Sequence, residues 1–350
     1  MNDAPLIAQG AMLRTRTPVV AIVGATGAVG EELIATLLKR GFPFASLRLL
    51  ASARSAGRMM LVGDREIPVA ELTEDAFDGV DLALFSAGGE RSKQFAPAAV
   101  RAGAIVVDNS SAFRMDAEVP LVVPEINSGA LASHRGIIAN PNCAAIIAGL
   151  PMFPLHQVNP VTRAVVTTYQ AASGGGAAMM QELLDATTAY LAGKPFTPKV
   201  LKLDYAFYLF SHNTAIEMDS LYNDEEIKLG RETRKIFGAP DLAIAATCIR
   251  VPVLRAHSIA LNLTFERPFA PAEARAILAR APGVRLVDEP AANHFPTPRE
   301  ASGLDEVLVG RIRTDLSDPS GRSLALFVAG DQLLKGAALN AVQIAEALLP

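Results

Sequence analysis

The stretch VVAIVGATGAVGEELIATLLKR, residues 19–40, decides the fold. Its first five residues are continuously apolar, as expected of a strand in a parallel sheet covered by helices on both faces. The chain then passes through Gly24, Gly27 and Gly30 into an amphipathic segment. The first glycine lets the strand turn sharply, the second lets backbone approach a pyrophosphate, and the third lets helix and strand pack closely. A helix N-terminus at that point offers unpaired N–H groups to phosphates, so the strand-turn-helix context reads as a dinucleotide signature.

Outward from this turn, short apolar runs keep alternating with amphipathic segments through SLRLLAS (46–52), VDLALFSA (80–87) and AIVVDNS (104–110). That alternation predicts an α/β fold, a Rossmann-type doubly wound parallel sheet over residues 18–140. After Asn140 the segments become longer and β-rich: VTRAVVTTYQAAS, IAATCIRVPV, HSIALNLTFE, EVLVGRIRTD and RSLALFVAG. Helical patterns at 176–191, 224–237 and 272–280 interrupt them, so residues 141–330 are expected to form an α+β domain with a mixed, largely antiparallel sheet. Residues 331–350 carry apolar positions at helical spacing, including Leu334, Ala338, Val342 and Ala345, expected to pack back on the first sheet. Residues 1–17 lack the apolar run of a signal peptide and are expected to be a loose leader.

Composition narrows the function classes. Half of the 350 residues are hydrophobic and 19% are charged, which excludes a disordered chain. The net charge of -4, without a basic block, argues against a nucleic-acid partner. No run reaches the roughly 18 apolar residues of a membrane span, and two cysteines give no disulfide framework, so a cytoplasmic protein is expected.

The second strand ends without the acidic residue that would hold the ribose 2′-hydroxyl of NAD. Ser52, Arg54 and Ser55 stand there instead and suit a 2′-phosphate, so the expected cofactor is NADP(H). In NPNCAAII (140–147) a turn leads into a helix starting at Cys143, where the helix dipole favours a thiolate. Cys248, inside an apolar strand, reads as a buried hydrophobe. His257 opens the strand HSIALNLTF, seven residues after Arg250, which is suited to fork a carboxylate. No Cys/His cluster has metal-ligand spacing, and no metal is expected.

Eight motifs in order, GATGAVG (24–30), FSAGG (85–89), DNSSAFR (108–114), NPNC (140–143), YQAASGGG (169–176), DEEIKLGRETRKI (224–236), IRVPVLRAHS (249–258) and DQLLKGAALNAVQIAE (331–346), resemble the aspartate-β-semialdehyde dehydrogenase family from residue 19 to the C-terminus. The resemblance implies Cys143 as acylated nucleophile, His257 as acid/base and Gln170 as the residue orienting the thioacyl intermediate. It implies substrate contacts from Arg250 (α-carboxylate), Glu225 (amino group), Arg114 and Lys228 (phosphate) and Asn142. Cofactor contacts fall to Gly24, Thr26, Gly27, Ala28, Val29, Gly30, Ser52, Arg54, Ser55, Ser173, Gly174 and Gln332.

The implied reaction is NADPH-dependent reductive dephosphorylation of L-aspartyl-4-phosphate to L-aspartate-4-semialdehyde. It would serve biosynthesis of lysine and diaminopimelate, threonine, methionine and isoleucine in a homodimer or homotetramer. Two alternatives remain at this point: a related acyl-phosphate reductase such as N-acetyl-γ-glutamyl-phosphate reductase, or a non-catalytic dinucleotide-binding paralogue. Glu225 together with Arg250 favours a free amino acid over an N-acetylated one. Cys143 and His257 have no purpose in a binding module.

Overall fold

A computed structural model describes residues 7–350, which divide into two compact units, residues 7–142 with 337–350, and residues 143–336. The sequence expectation placed these divisions at 140/141 and 330/331. No helix among the described residues is long and apolar enough to cross a membrane.

The first unit contains β1 (Val19–Val23), α1 (Ala28–Lys39), β2 (Ser46–Ala51), β3 (Met59–Val62), β4 (Arg65–Glu71), β5 (Leu82–Phe85), α2 (Gly89–Arg101), β6 (Ile105–Asp108), α3 (Pro124–Asn127) and β7 (Ile137–Ala139). The sheet order is β3-β4-β2-β1-β5-β6-β7, parallel throughout except for β3. That outer strand is antiparallel because residues 63–64 form a two-residue hairpin turn in which Gly63 has φ +60°, a conformation glycine adopts without strain.

Alternate residues of β1 feed two different cores, which is why VVAIV contains no polar side chain. Val20 and Ile22 pack on one face with Leu33 and Leu37 of α1, whereas Ala21 and Val23 pack on the other with Ala96 and Ala99 of α2. The C-terminal helix Leu339–Ala347 joins the first of these cores through Ala341, Val342, Ile344 and Ala345. Its buried Asn340 donates to Val122 O at 2.9 Å and to Asn140 Oδ1 at 2.6 Å.

The loose leader does not hold for residues 7–17. Leu13 is buried in the same core and its N–H donates to Leu348 O at 2.8 Å, Gly10 N–H donates to His134 O at 2.8 Å, and the His134 ring meets Ala11 O at 2.9 Å. Irregular backbone here satisfies its polar groups on the unit it covers. Residues 1–6 lie outside the described residues.

The second unit contains α4 (Cys143–Val158), β8 (Val161–Gln170), α5 (Ala177–Leu191), β9 (Phe210–Ser211), α6 (Asp224–Phe237), β10 (Ala243–Arg250), β11 (His257–Phe265), α7 (Pro271–Leu278), β12 (Val284–Leu286), α8 (Pro298–Ala301), β13 (Val307–Thr314) and β14 (Ser323–Gly330). Its mixed sheet runs β12-β13-β14-β11-β8-β10-β9. Two pairings, β8 with β10 and β12 with β13, are parallel and the rest antiparallel.

Register brings three of the expected site residues together. Parallel β8 and β10 pair Gln170 with Arg250, their last residues, while antiparallel β11 starts at His257 beside the same end of β8. Three residues separated by up to 87 positions therefore share one end of three adjacent strands. The capping box of α6, in which Asn223 and Glu226 exchange side-chain and backbone bonds, fixes the first turn that carries Glu225.

Candidate active site

Cys143 opens α4, half-buried, with its Sγ 3.6 Å from His257 Nε2. The thiol therefore meets both the positive end of a helix dipole and an imidazole. Ala171 N–H donates to His257 Nδ1 at 3.1 Å. That bond occupies Nδ1 as an acceptor, so the neutral ring carries its proton on Nε2, facing the sulfur. Burial holds the pKa of His257 well below the usual histidine value, and the charges of Arg250 and His212 act in the same direction. A neutral ring with Nε2–H aimed at Sγ is a hydrogen-bond donor to a thiolate.

Around this pair, Gln170 is buried and its Nε2 donates to Glu225 Oε1 at 3.1 Å and to Thr168 Oγ1 at 3.4 Å. Arg250 is 5% exposed; it donates to Ala171 O at 3.0 Å, while its Nε is buried with no hydrogen-bond partner among the described residues. Buried guanidinium N–H groups are rarely left unpaired, so this is a socket for an acceptor. Lys228 pairs with Asp224 one turn earlier on α6. Gly174 lies so close that a Cβ there would be 3.0 Å from both Arg250 Nη1 and His257 Cε1. Ser173 and Gln332 are buried and hydrogen-bonded to each other, and Gln332 Oε1 also accepts from Ala256 N–H at 3.0 Å.

His212 escaped the sequence reading. Burial, with Arg250 adding to it, pushes its pKa down to about 4, and its ring contacts Thr214 Oγ1 at 3.3 Å, whose hydroxyl also accepts from Glu225 N–H. Tyr205 was missed as well; it donates to Val251 O at 2.7 Å, just past Arg250, and burial raises its pKa to about 12 against the opposing charge of Arg250. Both sit in the irregular stretch between α5 and α6, where no periodicity marks them. Cys248 is fully buried and burial pushes its thiol to about 12, which makes it unreactive.

The first unit holds the glycine turn. Gly24 has φ +87°, and a Cβ on it would lie 2.3 Å from Ser86 O. A Cβ on Gly30 would lie 2.2 Å from Gly24 O, so neither position accepts a side chain. Ala28 and Val29 form the first turn of α1 above this bend. A cavity of about 250 Å³ opens there, lined among others by Thr26, Gly27, Ser52, Arg54, Ser55 and Arg91. Thr26 Oγ1 reaches Ser55 Oγ at 3.5 Å, so the turn and the end of the second strand form one cradle. A tight glycine turn, a helix start and two guanidinium groups fit a dinucleotide phosphate. Arg91, near the start of α2, was also missed; the signal was a basic residue just past the glycines of FSAGG. Arg114 and Asn142, both buried, belong to this unit; Arg114 donates to Asn140 O at 2.9 Å and Asn109 O at 2.7 Å.

Two family models match the chain: the NAD-binding domain of semialdehyde dehydrogenase over residues 19–134, and the semialdehyde dehydrogenase dimerisation domain over residues 152–335. The chain is 54% identical to aspartate-semialdehyde dehydrogenase of Synechocystis over 94% of its own length and 97% of the relative's. It is 44% identical to the Bacillus subtilis enzyme of that name over 94% and 96%. Among solved structures, aspartate semialdehyde dehydrogenase II complexed with ASA from Vibrio cholerae superposes with a TM-score of 0.92 at 41% identity, covering 95% of this chain and 98% of that one. An N-terminal dinucleotide-binding sheet, a mixed-sheet domain bearing a thiol–imidazole pair, and relatives aligned along nearly the whole chain lead to one conclusion: the chain belongs to the aspartate-semialdehyde dehydrogenase family, oxidoreductases that use a nicotinamide dinucleotide.

Proposed function

We propose that the chain catalyses the NADPH-dependent reductive dephosphorylation of L-aspartyl-4-phosphate to L-aspartate-4-semialdehyde through a thioester on Cys143. The observation that carries this reading is the Cys143 Sγ–His257 Nε2 contact at the head of α4. Supporting it beside the pair are an unsatisfied Arg250 Nε, suited to an α-carboxylate, and Glu225, an acceptor suited to an α-ammonium.

Cys143 enters as the thiolate and attacks the acyl phosphate carbon; the C–S bond forms as the C–O bond to phosphate breaks. Arg114, Lys228 and Asn142 are the residues assigned to the departing phosphate. When bound, the nicotinamide supplies the reducing equivalent, two electrons and a hydrogen nucleus together, to the thioester carbon. Gly24, Thr26, Gly27, Ala28, Val29, Gly30, Ser52, Arg54 and Ser55 would hold that cofactor, with Ser173 and Gly174 assigned to it as well. The resulting tetrahedral oxyanion collapses to aldehyde and expels the Cys143 thiolate, so sulfur needs no net proton over the cycle. His257 therefore works as a hydrogen-bond donor, first to the thiolate and then to the oxyanion, and Gln170 orients the acyl group. The α4 dipole favours both negative charges.

Ser52, Arg54 and Ser55 support NADP over NAD. The reaction fits biosynthesis of lysine and diaminopimelate, threonine, methionine and isoleucine in the cytoplasm. Exposed Phe207, Leu209, Met218 and Leu221 in the second unit support a homodimer or homotetramer.

The test is phosphate-dependent reduction of NADP with L-aspartate semialdehyde, run beside N-acetylglutamate semialdehyde, glyceraldehyde-3-phosphate and NAD. Turnover confined to L-aspartate semialdehyde with NADP is expected. Preference for another aldehyde, or no turnover from protein that binds NADPH, would overturn the reading.

A further inference from the structure

Ala256, the residue before His257, is fully buried with φ +71°, a left-handed conformation that costs a side-chain-bearing residue energy and persists only where neighbours enforce it. Gln332 is the residue bonded to its backbone N–H. Its Oε1 accepts from Ala256 N–H at 3.0 Å and its Nε2 donates to Ser173 Oγ. Two backbone bonds, Ala172 N–H to Val253 O at 2.8 Å and Ser173 N–H to Leu254 O at 3.0 Å, zip the strand-end segments together just ahead of this clamp.

The other side of the same turn touches the nucleophile. Residues 334–338 form a π-helical turn, with Gly336 N–H bonded to Asp331 O at 3.1 Å. A Cβ on Gly336 would lie 2.8 Å from Cys143 Cβ and 3.2 Å from Gln332 Cβ. Asp331 anchors the turn through Arg255 Nε at 2.6 Å, Gly303 N–H at 2.7 Å and Leu333 N–H at 3.0 Å. One rigid turn thus abuts Cys143 and also holds the residue from which His257 departs.

The geometry points to Gln332 as a positioning residue that sets the distance between Cys143 and His257 by clamping Ala256 in the left-handed conformation. This rests on the reading of Cys143 and His257 as the reacting pair, and it gives Gln332 a role different from the cofactor contact implied by resemblance. Both polar ends of its amide are engaged within the unit.

Gln332→Met keeps the side-chain length and removes both bonds. We expect kcat to fall about tenfold or more, the size of effect that sub-ångström misplacement of reacting groups produces, with the NADPH dissociation constant unchanged within about twofold. The rate of Cys143 alkylation by iodoacetamide in the cofactor-free protein should also show its pH midpoint moved upward, because the thiolate loses its aligned Nε2–H donor. Adding Ala256→Gly, which allows the left-handed φ without strain, should recover a substantial part of both losses. Ser173→Ala, which loosens the clamp without touching Ala256, should move kcat and the alkylation midpoint the same way by less, and carries the test if Gln332→Met fails to fold.

A weakened NADPH affinity with kcat and alkylation intact would overturn the inference in favour of cofactor contact. No rescue by Ala256→Gly would overturn it as well. Cys143→Ala separates the two levels: if that variant is inactive while Gln332→Met behaves as wild type, only the positioning role fails, and if it turns over normally, the underlying reading fails.

Discussion

Arg250 shows how one side chain carries both a cost and a purpose. Among the described residues its Nε is buried without a partner, a deficit of about 1–3 kcal/mol that the carboxylate of the proposed substrate would remove. Because a guanidinium offers two parallel N–H groups and an ammonium does not, Arg250→Lys should lower kcat/KM for L-aspartate semialdehyde by roughly a hundredfold or more while leaving NADPH binding unchanged. Steady-state kinetics with a parallel NADPH titration check this, and unaltered kcat/KM would place the carboxylate elsewhere. Arg250, Cys143 and His257 were legible in the sequence because each stands at the end of a strand or the start of a helix, a place that the apolar pattern itself marks. His212 and Tyr205 were not, because the irregular stretch between α5 and α6 gives a single sequence no clue to what folds over what. The tautomer of His257 was equally hidden, since it depends on a backbone N–H at Ala171 that register alone brings within reach.

At the level of elements, hydrophobic period did most of the work and failed where period carries no information. Strand β1 and helix α1 were readable because the glycine turn between them is punctuation with a steric reason, visible in the close approach of Gly30 to Gly24 O. Helices α5, α6 and α7 lie at Ala177–Leu191, Asp224–Phe237 and Pro271–Leu278, close to the expected spans. The β3–β4 hairpin was unread because it lies on the outer side of the sheet, largely exposed, and Arg65, Glu66, Pro68 and Glu71 blur the alternation of β4. Residues 7–17 were misread since backbone hydrogen bonds to His134 and Leu348, rather than an apolar run, hold them down. The turn at 334–338 reads as ordinary helix from its apolar spacing; only the five-residue backbone bond to Asp331 separates π from α.

At the scale of the molecule, folding disfavours the charged form of four histidines. Burial lowers the pKa of His134, His156, His212 and His257, the third to about 4. The unfolded chain protonates each below about pH 6.5, so there it binds more protons than the native state, and stability must fall as pH drops from 6.5 towards 4. His294 acts in the opposite sense, raised by Glu300 and Glu289, but it is exposed and its pairing is screened by solvent. Thermal unfolding should therefore give a clearly lower Tm at about pH 5 than at about pH 7.5, and an equal or higher Tm at pH 5 would contradict the burial of these rings. In the proposed reaction Cys143 becomes acylated, and the acyl-enzyme can be trapped. Protein mixed with L-aspartate semialdehyde and NADP in the absence of phosphate is quenched in acid and digested, and the peptide containing Cys143 is weighed. One aspartyl group on Cys143 that disappears when phosphate is added before the quench is expected; an unmodified Cys143, or an adduct on another residue in protein that turns over, would contradict acylation of this thiol.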